Sequence, residues 1–238
     1  MTILLARHAE SEAYRDESLF RTMGDHNIAL SEKGPEQAAA LGKFVNEYFR
    51  QNPPKGKVRL WASPYLRTTQ TAQGLLANAP DVNWDFSANK EQIFFDARLR
   101  EREFGYFDGL NDEQNAEAYP VQWQHYQKLM GEGSSGKYYA TPYGGESAAD
   151  VSVRLHTYFE TLWRDQAKGI TEHVIVNHGF TLRCFVNAFF HQHPRDFLAE
   201  KNPSNTAVRL LKANDETRRY EDRGYIYDPR NGIYNLAA

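Results

Sequence analysis

The sequence predicts an α/β protein, a three-layer sandwich with helices on both faces of a central sheet. Short apolar runs that stop abruptly at polar residues, as Ile3, Leu4, Leu5 and Ala6 do at Arg7 and His8, are the mark of buried strands. Longer stretches between such runs carry apolar residues at helical spacing, and alternation of the two patterns is that of layered α/β folds. The chain has 238 residues, 41% of them hydrophobic and 13% aromatic, enough to enclose a sheet in a full core, and it is read as one domain over residues 1–238.

The first strand ends at Arg7 and His8, and the carboxyl end of a strand is where open α/β sheets bind ligands. A polar, mixed-charge segment at about 10–29 follows, holding Tyr14, Arg15, Arg21, His26 and Asn27; its length suits the wall of a pocket. Ser31 is the expected N-cap of a helix whose apolar spacing runs to Phe49 and which Asn52, Pro53 and Pro54 end. Val58–Ala62 is a second strand. Ser63 and Pro64 then read as the N-cap and N1 pair of a new helix, with Arg67 in its first turn. An arginine there opposes the helix dipole by about 0.3–1 kcal/mol, which points to work outside the helix, where free N–H groups suit a phosphate.

Residues 79–90 form a polar connection. A charged, glycine-punctuated stretch at 99–109 holds Glu101, Glu103 and Asp108, with apolar neighbours able to desolvate a carboxylate. One or two short helices are expected over 111–130 and a flexible linker over 131–136. The segment at about 100–143 is taken, with 10–29, as the cover of the pocket. The clearest helix opens after Gly144, Gly145, Glu146 and Ser147, with Val151, Val153, Leu155, Tyr158, Phe159 and Leu162 on one face and an end near Lys168 and Gly169. Glu146 is expected to cap it, and Arg154 to form an ion pair on its face. A third strand over 174–176 delivers His178, and Gly179 starts a helix to about Phe190. Residues 207–211 read as a fourth strand and 224–227 as an edge strand.

A net charge of −3 gives no basic field for nucleic acid or an anionic membrane, so an anionic ligand must be held locally. The single cysteine, Cys184, excludes an internal disulfide, fits a reducing compartment and is expected to be a small buried apolar residue. No apolar run approaches the roughly 18 residues of a membrane span, so a cytoplasmic location is the expectation. His191 and His193 lie at a helix end without a third ligand, and no metal site is read there.

A neutral, oriented imidazole can attack phosphorus and split a hard displacement into two easier ones. The charge to be stabilised lies on the phosphoryl oxygens, and Arg7, Arg67 and His178 supply fixed donors beside His8. Those cations also favour the neutral, nucleophilic form of His8. A leaving alkoxide needs a proton, and Glu101 is the candidate donor, with Glu103 and Asp108 as alternatives.

In this order along the chain, Arg7-His8-Ala9-Glu10-Ser11, Leu30 to Gly34, Ser63-Pro64-Tyr65-Leu66-Arg67-Thr68, Gly144-Gly145-Glu146-Ser147 and Asn177-His178-Gly179 resemble the histidine phosphatase superfamily, in the phosphoglycerate-mutase-like group of its first branch. The resemblance implies a mixed, mostly parallel sheet flanked by helices, no metal and no cofactor. It places Arg7, His8, Arg67 and His178 in the phosphate pocket with His8 as the phosphorylated histidine, sets Gly179 beside them, and puts Glu101 on the usual proton donor. Ala9 stands where the family has glycine, and Asn177 where a small hydroxyl residue is commoner. Many members have an asparagine at the position of Tyr14, so that phosphate contact falls to Tyr14 or Asn27 or is missing. The expected activity is metal-independent hydrolysis of small phosphate monoesters, of the histidine acid phosphatase type. Phosphoglycerate-mutase-type transfer is the alternative, disfavoured by the lack of long basic insertions. A non-catalytic phospholigand-binding domain is the third reading, against which the pairing of a nucleophile with an acid argues.

Overall fold

An unbroken apolar run can be satisfied only by burial on both faces, and Ile3, Leu4, Leu5 and Ala6 of strand β1 (Thr2–Arg7) are all 0% exposed. The computed structural model describes residues 1–87, 92–214, 216–217 and 219–237. In it β1 lies inside a seven-stranded sheet with β2 (Val58–Ala62), β3 (Phe94–Phe95), β4 (Glu172–Asn177), β5 (Val208–Ala213), β6 (Tyr220–Asp228) and β7 (Ile233–Tyr234), in the order β3-β2-β4-β1-β5-β6-β7. The pairs β1 with β4, β4 with β2 and β2 with β3 are parallel; β1 with β5, β5 with β6 and β6 with β7 are antiparallel. The sheet is therefore mixed, with β1 at the change of direction.

The two-residue alternation of β1 sorts its side chains onto two cores. Leu4 and Ala6 pack with Leu41, Phe44 and Val45 of helix α1 (Gly34–Gln51) and with Leu75 of α2 (Leu66–Ala77). Ile3 and Leu5 pack on the other face, beneath α6 (Ala148–Ala167) and α7 (Gly179–Phe189). Residues 101–143 carry α3 (Asp112–Ala118), α4 (Pro120–Gly131) and α5 (Gly133–Tyr139), and a third, smaller cluster in which buried Phe107, Tyr126 and Ala140 pack with Tyr119 and with Trp123, Leu129 and Met130 of α4. A short helix α8 (Pro194–Ala199) leads back toward β5. No helix among the described residues is long and apolar enough to cross a membrane.

Several local expectations are corrected. Ser31 does not cap α1, since its hydroxyl donates to Glu10 Oε1 at 2.8 Å and the capping position is taken by Lys33. Ser63 does not cap α2 either: the helix begins three residues later, after Tyr65, and the serine hydroxyl turns to a histidine. The stretch 131–136 is not a linker, because α4 runs to Gly131 and α5 takes up the chain at Gly133. Ser147, not Glu146, caps α6, in a reciprocal box with Asp150. Val153 is 66% exposed and stands off the buried face of α6. The connection after α2 is not wholly polar, since Val82 and Trp84 are buried and Trp84 bridges to Val58; its residues 88–90 lie outside the described residues. β6 is not an edge, because β7 pairs beyond it, and β3 was too short to leave a period in the sequence. Cys184 is buried as expected.

Candidate active site

Parallel register builds the centre of the site. Arg7 of β1 lies opposite Asn177 of β4, and the His8 amide continues the ladder by donating to the Asn177 carbonyl at 2.9 Å. The next residue of each strand is thus a histidine, and the rings of His8 and His178 lie 5.2 Å apart, centroid to centroid, at 63°. Both are buried, and burial, followed by the charge of Arg67, pushes both imidazoles well below the ordinary value; Arg7 adds to the shift on each. Both rings are accordingly held neutral.

Hydrogen bonds orient them. His8 Nδ1 lies 2.6 Å from the Ala9 carbonyl, which can only accept, so Nδ1 carries the proton and Nε2 has the free lone pair. His178 Nε2 lies 2.9 Å from Ser63 Oγ, at the end of β2, and Tyr65 packs its ring 5.1 Å from the same imidazole. Ala9 has no positive φ, and its amide donates to Thr71 Oγ1 at 3.0 Å, so the methyl group in place of glycine is accommodated without backbone strain.

Two arginines stand beside the histidines. Arg7 donates from Nη1 to the Pro203 carbonyl at 2.6 Å, and its Nε is buried without a protein partner among the described residues. Arg67, 4% exposed in the first turn of α2, donates to the Asp25 carbonyl at 2.6 Å and lies 2.7 Å from the Asp25 carboxylate. Gly179 lies against this group, where a Cβ would meet Arg7 Nε at 3.4 Å and Asn202 Cγ at 3.5 Å, ordinary contact distances.

Glu101 reaches the same place from an irregular segment, and the amino end of α7 captures its carboxylate. Thr181 N–H donates to Oε1 at 3.1 Å and Phe180 N–H to Oε2 at 3.3 Å, a placement that the helix dipole favours. Oε1 also accepts from Arg102 N–H at 2.9 Å. Behind it, Glu146 binds Arg100 at 2.6 Å and Arg154 at 2.9 Å, and Arg154 donates to the Glu101 carbonyl at 3.2 Å. Arg154 therefore braces the segment that carries Glu101 and makes no ion pair along its own helix.

A cavity of about 470 Å³ opens over these groups, and Arg7, His8, Tyr14, Arg67 and Glu101 lie on its wall. His178 and Gly179 support it from behind without lining it. Asn27 is not on the wall either; its amide donates to the Met23 carbonyl at 3.1 Å. Of the other acidic residues near Glu101, Asp108 lines the cavity, whereas Glu103 is exposed and pairs with Arg100. The outer wall comes from 11–25 and 101–110; residues 111–143 lie behind it and pack under Phe107. Sequence reasoning passed over Phe20, Asp25, Asn202 and Asn205 on the wall. Asn205 had a readable signal, since it precedes a strand, and only that strand's antiparallel direction brings it to His8, whose carbonyl accepts from its amide at 3.1 Å. Asp25 had none.

Among the described residues no group of three or more histidine, cysteine or acidic side chains is placed to hold a metal ion.

Residues 3–224 match the sequence profile of the histidine phosphatase superfamily (branch 1). A phosphoglycerate mutase-like protein of Arabidopsis thaliana is 30% identical over 221 residues, covering 88% of this chain and 64% of that protein, so the chain spans less than two thirds of this relative. A broad-range acid phosphatase of Saccharomyces cerevisiae is 22% identical, with 92% of this chain and 87% of that protein covered. Among solved structures, a mycobacterial glucosyl-3-phosphoglycerate phosphatase complexed with VO3 superposes with a TM-score of 0.69 at 20% identity, covering 95% of this chain and 98% of the other. An α-ribazole phosphatase from Shigella flexneri gives a TM-score of 0.66 at 17% identity over 94% and 96%. These two likenesses carry the fold.

Proposed function

Because the chain belongs to the histidine phosphatase superfamily, branch 1, we propose that it is a metal-independent phosphomonoesterase working through a phosphohistidine on His8. The observation that supports this most directly is the state of that ring: neutral, buried beside two arginines, and tied at Nδ1 so that Nε2 holds the lone pair.

In the first step His8 Nε2 forms a bond to phosphorus while the ester P–O bond breaks, and the departing alcohol oxygen takes a proton from Glu101. Oε2 is the oxygen suited to pass that proton, since it meets one donor at 3.3 Å while Oε1 is engaged by Arg102 and Thr181 amides. Arg7 and Arg67 bind the phosphoryl oxygens, for which the planar guanidinium fork is well shaped. His178 adds a further donor when Ser63 Oγ, 2.9 Å from Nε2, gives its proton to that nitrogen: the ring proton then sits on Nδ1, which is buried without a protein partner among the described residues. In the second step water attacks phosphorus, Glu101 takes its proton back, and the P–N bond breaks to release phosphate and neutral His8. Tyr14, 73% exposed on the cavity wall, can add its hydroxyl to the phosphate set; Asn27 has no such position.

Incubation with an aryl phosphate should give an acid-labile, base-stable phosphoenzyme and turnover unaffected by a chelator. The His8→Ala variant should give neither phosphoenzyme nor product, and its retention of turnover would refute the reading. Isomerisation of 3-phosphoglycerate in the presence of its bisphosphate activator, without net hydrolysis, would make the protein a mutase instead. Glu101→Gln should slow alkyl phosphates by about 10²-fold or more and activated aryl esters much less, whereas equal slowing would move the proton donor elsewhere.

A further inference from the structure

The two arginines at the phosphate end are not equivalent. Arg7 meets no carboxylate within ion-pair distance among the described residues; its Nη1 is taken by the Pro203 carbonyl and its buried Nε has no protein partner. Arg67 already faces an anion. Its Nη1 donates to the Asp25 carbonyl at 2.6 Å and lies 2.7 Å from Asp25 Oδ1, while Nε and Nη2 have no acceptor among the described residues. Asp25 itself lies on the cavity wall.

The contact is built into the rim. Segment 11–30 closes on itself at its neck, where Ser11 bridges to Leu30 and Glu12 N–H donates to the Ala29 carbonyl at 3.0 Å, and Leu30 N–H ties it to Gln70 Oε1 of α2 at 2.8 Å. Between these ends Gly24, at φ +77°, turns the chain into Asp25–Asn27, and the His26 ring packs 6.4 Å from that of Tyr65. This turn sets Asp25 against the start of α2.

Position and charge come from different atoms. The aligned hydrogen bond goes to the backbone carbonyl, and the guanidinium lies over the Tyr65 ring at 5.2 Å, so Arg67 is placed without help from the carboxylate. Asp25 Oδ1 is buried and accepts no aligned hydrogen bond among the described residues, an arrangement that folded proteins rarely keep without a use for it. What it supplies is negative charge. That charge is felt across the wall, where burial first and then the Asp25 carboxylate push the Asp108 carboxyl up to about 6, against the pull of Arg67. A phosphate arriving at the open edge of Arg67 must share the guanidinium with this carboxylate and is repelled by it.

Resting on the phosphatase reading of the same site, we propose that Asp25 is a resident counter-ion of the phosphate pocket, whose carboxylate weakens the grip of Arg67 on phosphate and so frees the product once the phosphohistidine is hydrolysed. Arg7 meets the anion at full charge and Arg67 at a reduced one.

Inorganic phosphate titrated calorimetrically into the protein tests this, since binding needs no turnover. Asp25→Asn keeps the backbone carbonyl and the side-chain shape while removing the charge. Its Kd for phosphate should be about tenfold below the wild-type value, and its Ki for phosphate against an aryl ester should fall alike. Asp25→Ser, with the same expectation, replaces it if that variant does not fold. Glu17→Gln, which removes an exposed carboxylate elsewhere on the wall, should change either constant by about twofold or less. Phosphate bound equally or more weakly by Asp25→Asn would overturn the proposal and make the carboxylate a brace, and an equal gain in Glu17→Gln would overturn it by revealing a general field of the wall. Tightened binding in a protein that hydrolyses no ester would count against the phosphatase reading alone, whereas no phosphate binding by wild type or variant would overturn both.

Discussion

Ser63 shows how much a single buried hydroxyl can decide. It is 0% exposed and lies 2.9 Å from His178 Nε2, a hydrogen bond that fixes which ring nitrogen faces the site. Ser63→Ala leaves that nitrogen buried without a partner, an expected loss of about 1–3 kcal/mol, or a few degrees of melting temperature at this chain length. Turnover should fall by about ten- to a hundredfold through a misoriented donor, with the fold retained by circular dichroism. Asp108 leaves a different trace. Its carboxyl rises from 3.8 to about 6 in the folded chain, by burial first and then by Asp25, against the pull of Arg67. The folded state therefore binds this proton more tightly than the unfolded one, so the stability linked to it is complete below pH 4 and is lost as the pH rises through about 6. Asp108→Asn escapes that loss. The gap in melting temperature between variant and wild type should thus move in favour of the variant between pH 4 and pH 7, and a gap constant across that range would refute the assignment.

Elements fix what residues cannot. Glu101 sits on no regular element, yet it is held from both sides: α7 offers its amino end to the carboxylate, and α6 offers Arg154 to the backbone. The join depends on Glu146, whose carboxylate binds both Arg100 and Arg154, and on Gly105, where φ is +60° and a Cβ would lie 2.3 Å from the Tyr143 carbonyl. Glu146→Ala should cost about 1–3 kcal/mol in denaturant unfolding, because Arg100 and Arg154 lose their shared carboxylate while Arg100 keeps Glu103 and Arg154 keeps the Arg98 and Glu101 carbonyls, and should lower kcat on alkyl phosphates more than on activated aryl esters as Glu101 loses its brace. Equal loss on both would mean that Glu146 supports the fold without positioning the acid. These contacts also explain what the sequence could and could not tell. Arg7, His8, Arg67 and His178 were legible because each ends a strand or follows one within a few residues, and strand ends point to one sheet edge. Ser31 and Ser63 had the chemistry of helix caps, but tertiary partners, Glu10 and His178, claimed their hydroxyls. Asp25 was not legible at all, since its meeting with Arg67 depends on the path of an irregular segment that no local periodicity records.

At the scale of the whole molecule the chain divides its labour between a sheet and a rim. The strands and their helices follow directly from apolar spacing, which is why their order and approximate limits could be read in advance. The rim, from 11–25 and 101–110, consists of short turns and glycine-punctuated chain, and its shape comes from contacts distant in sequence. The paired imidazoles, however, extend from neighbouring strands in the middle of the sheet, joined to its ladder through the His8 amide. Their spacing is therefore as durable as the sheet itself. On the phosphatase reading proposed above, thermal softening that frays the rim first would blur discrimination among esters while phosphorylation of His8 continued, so heat would make such a catalyst indiscriminate before it made it inert.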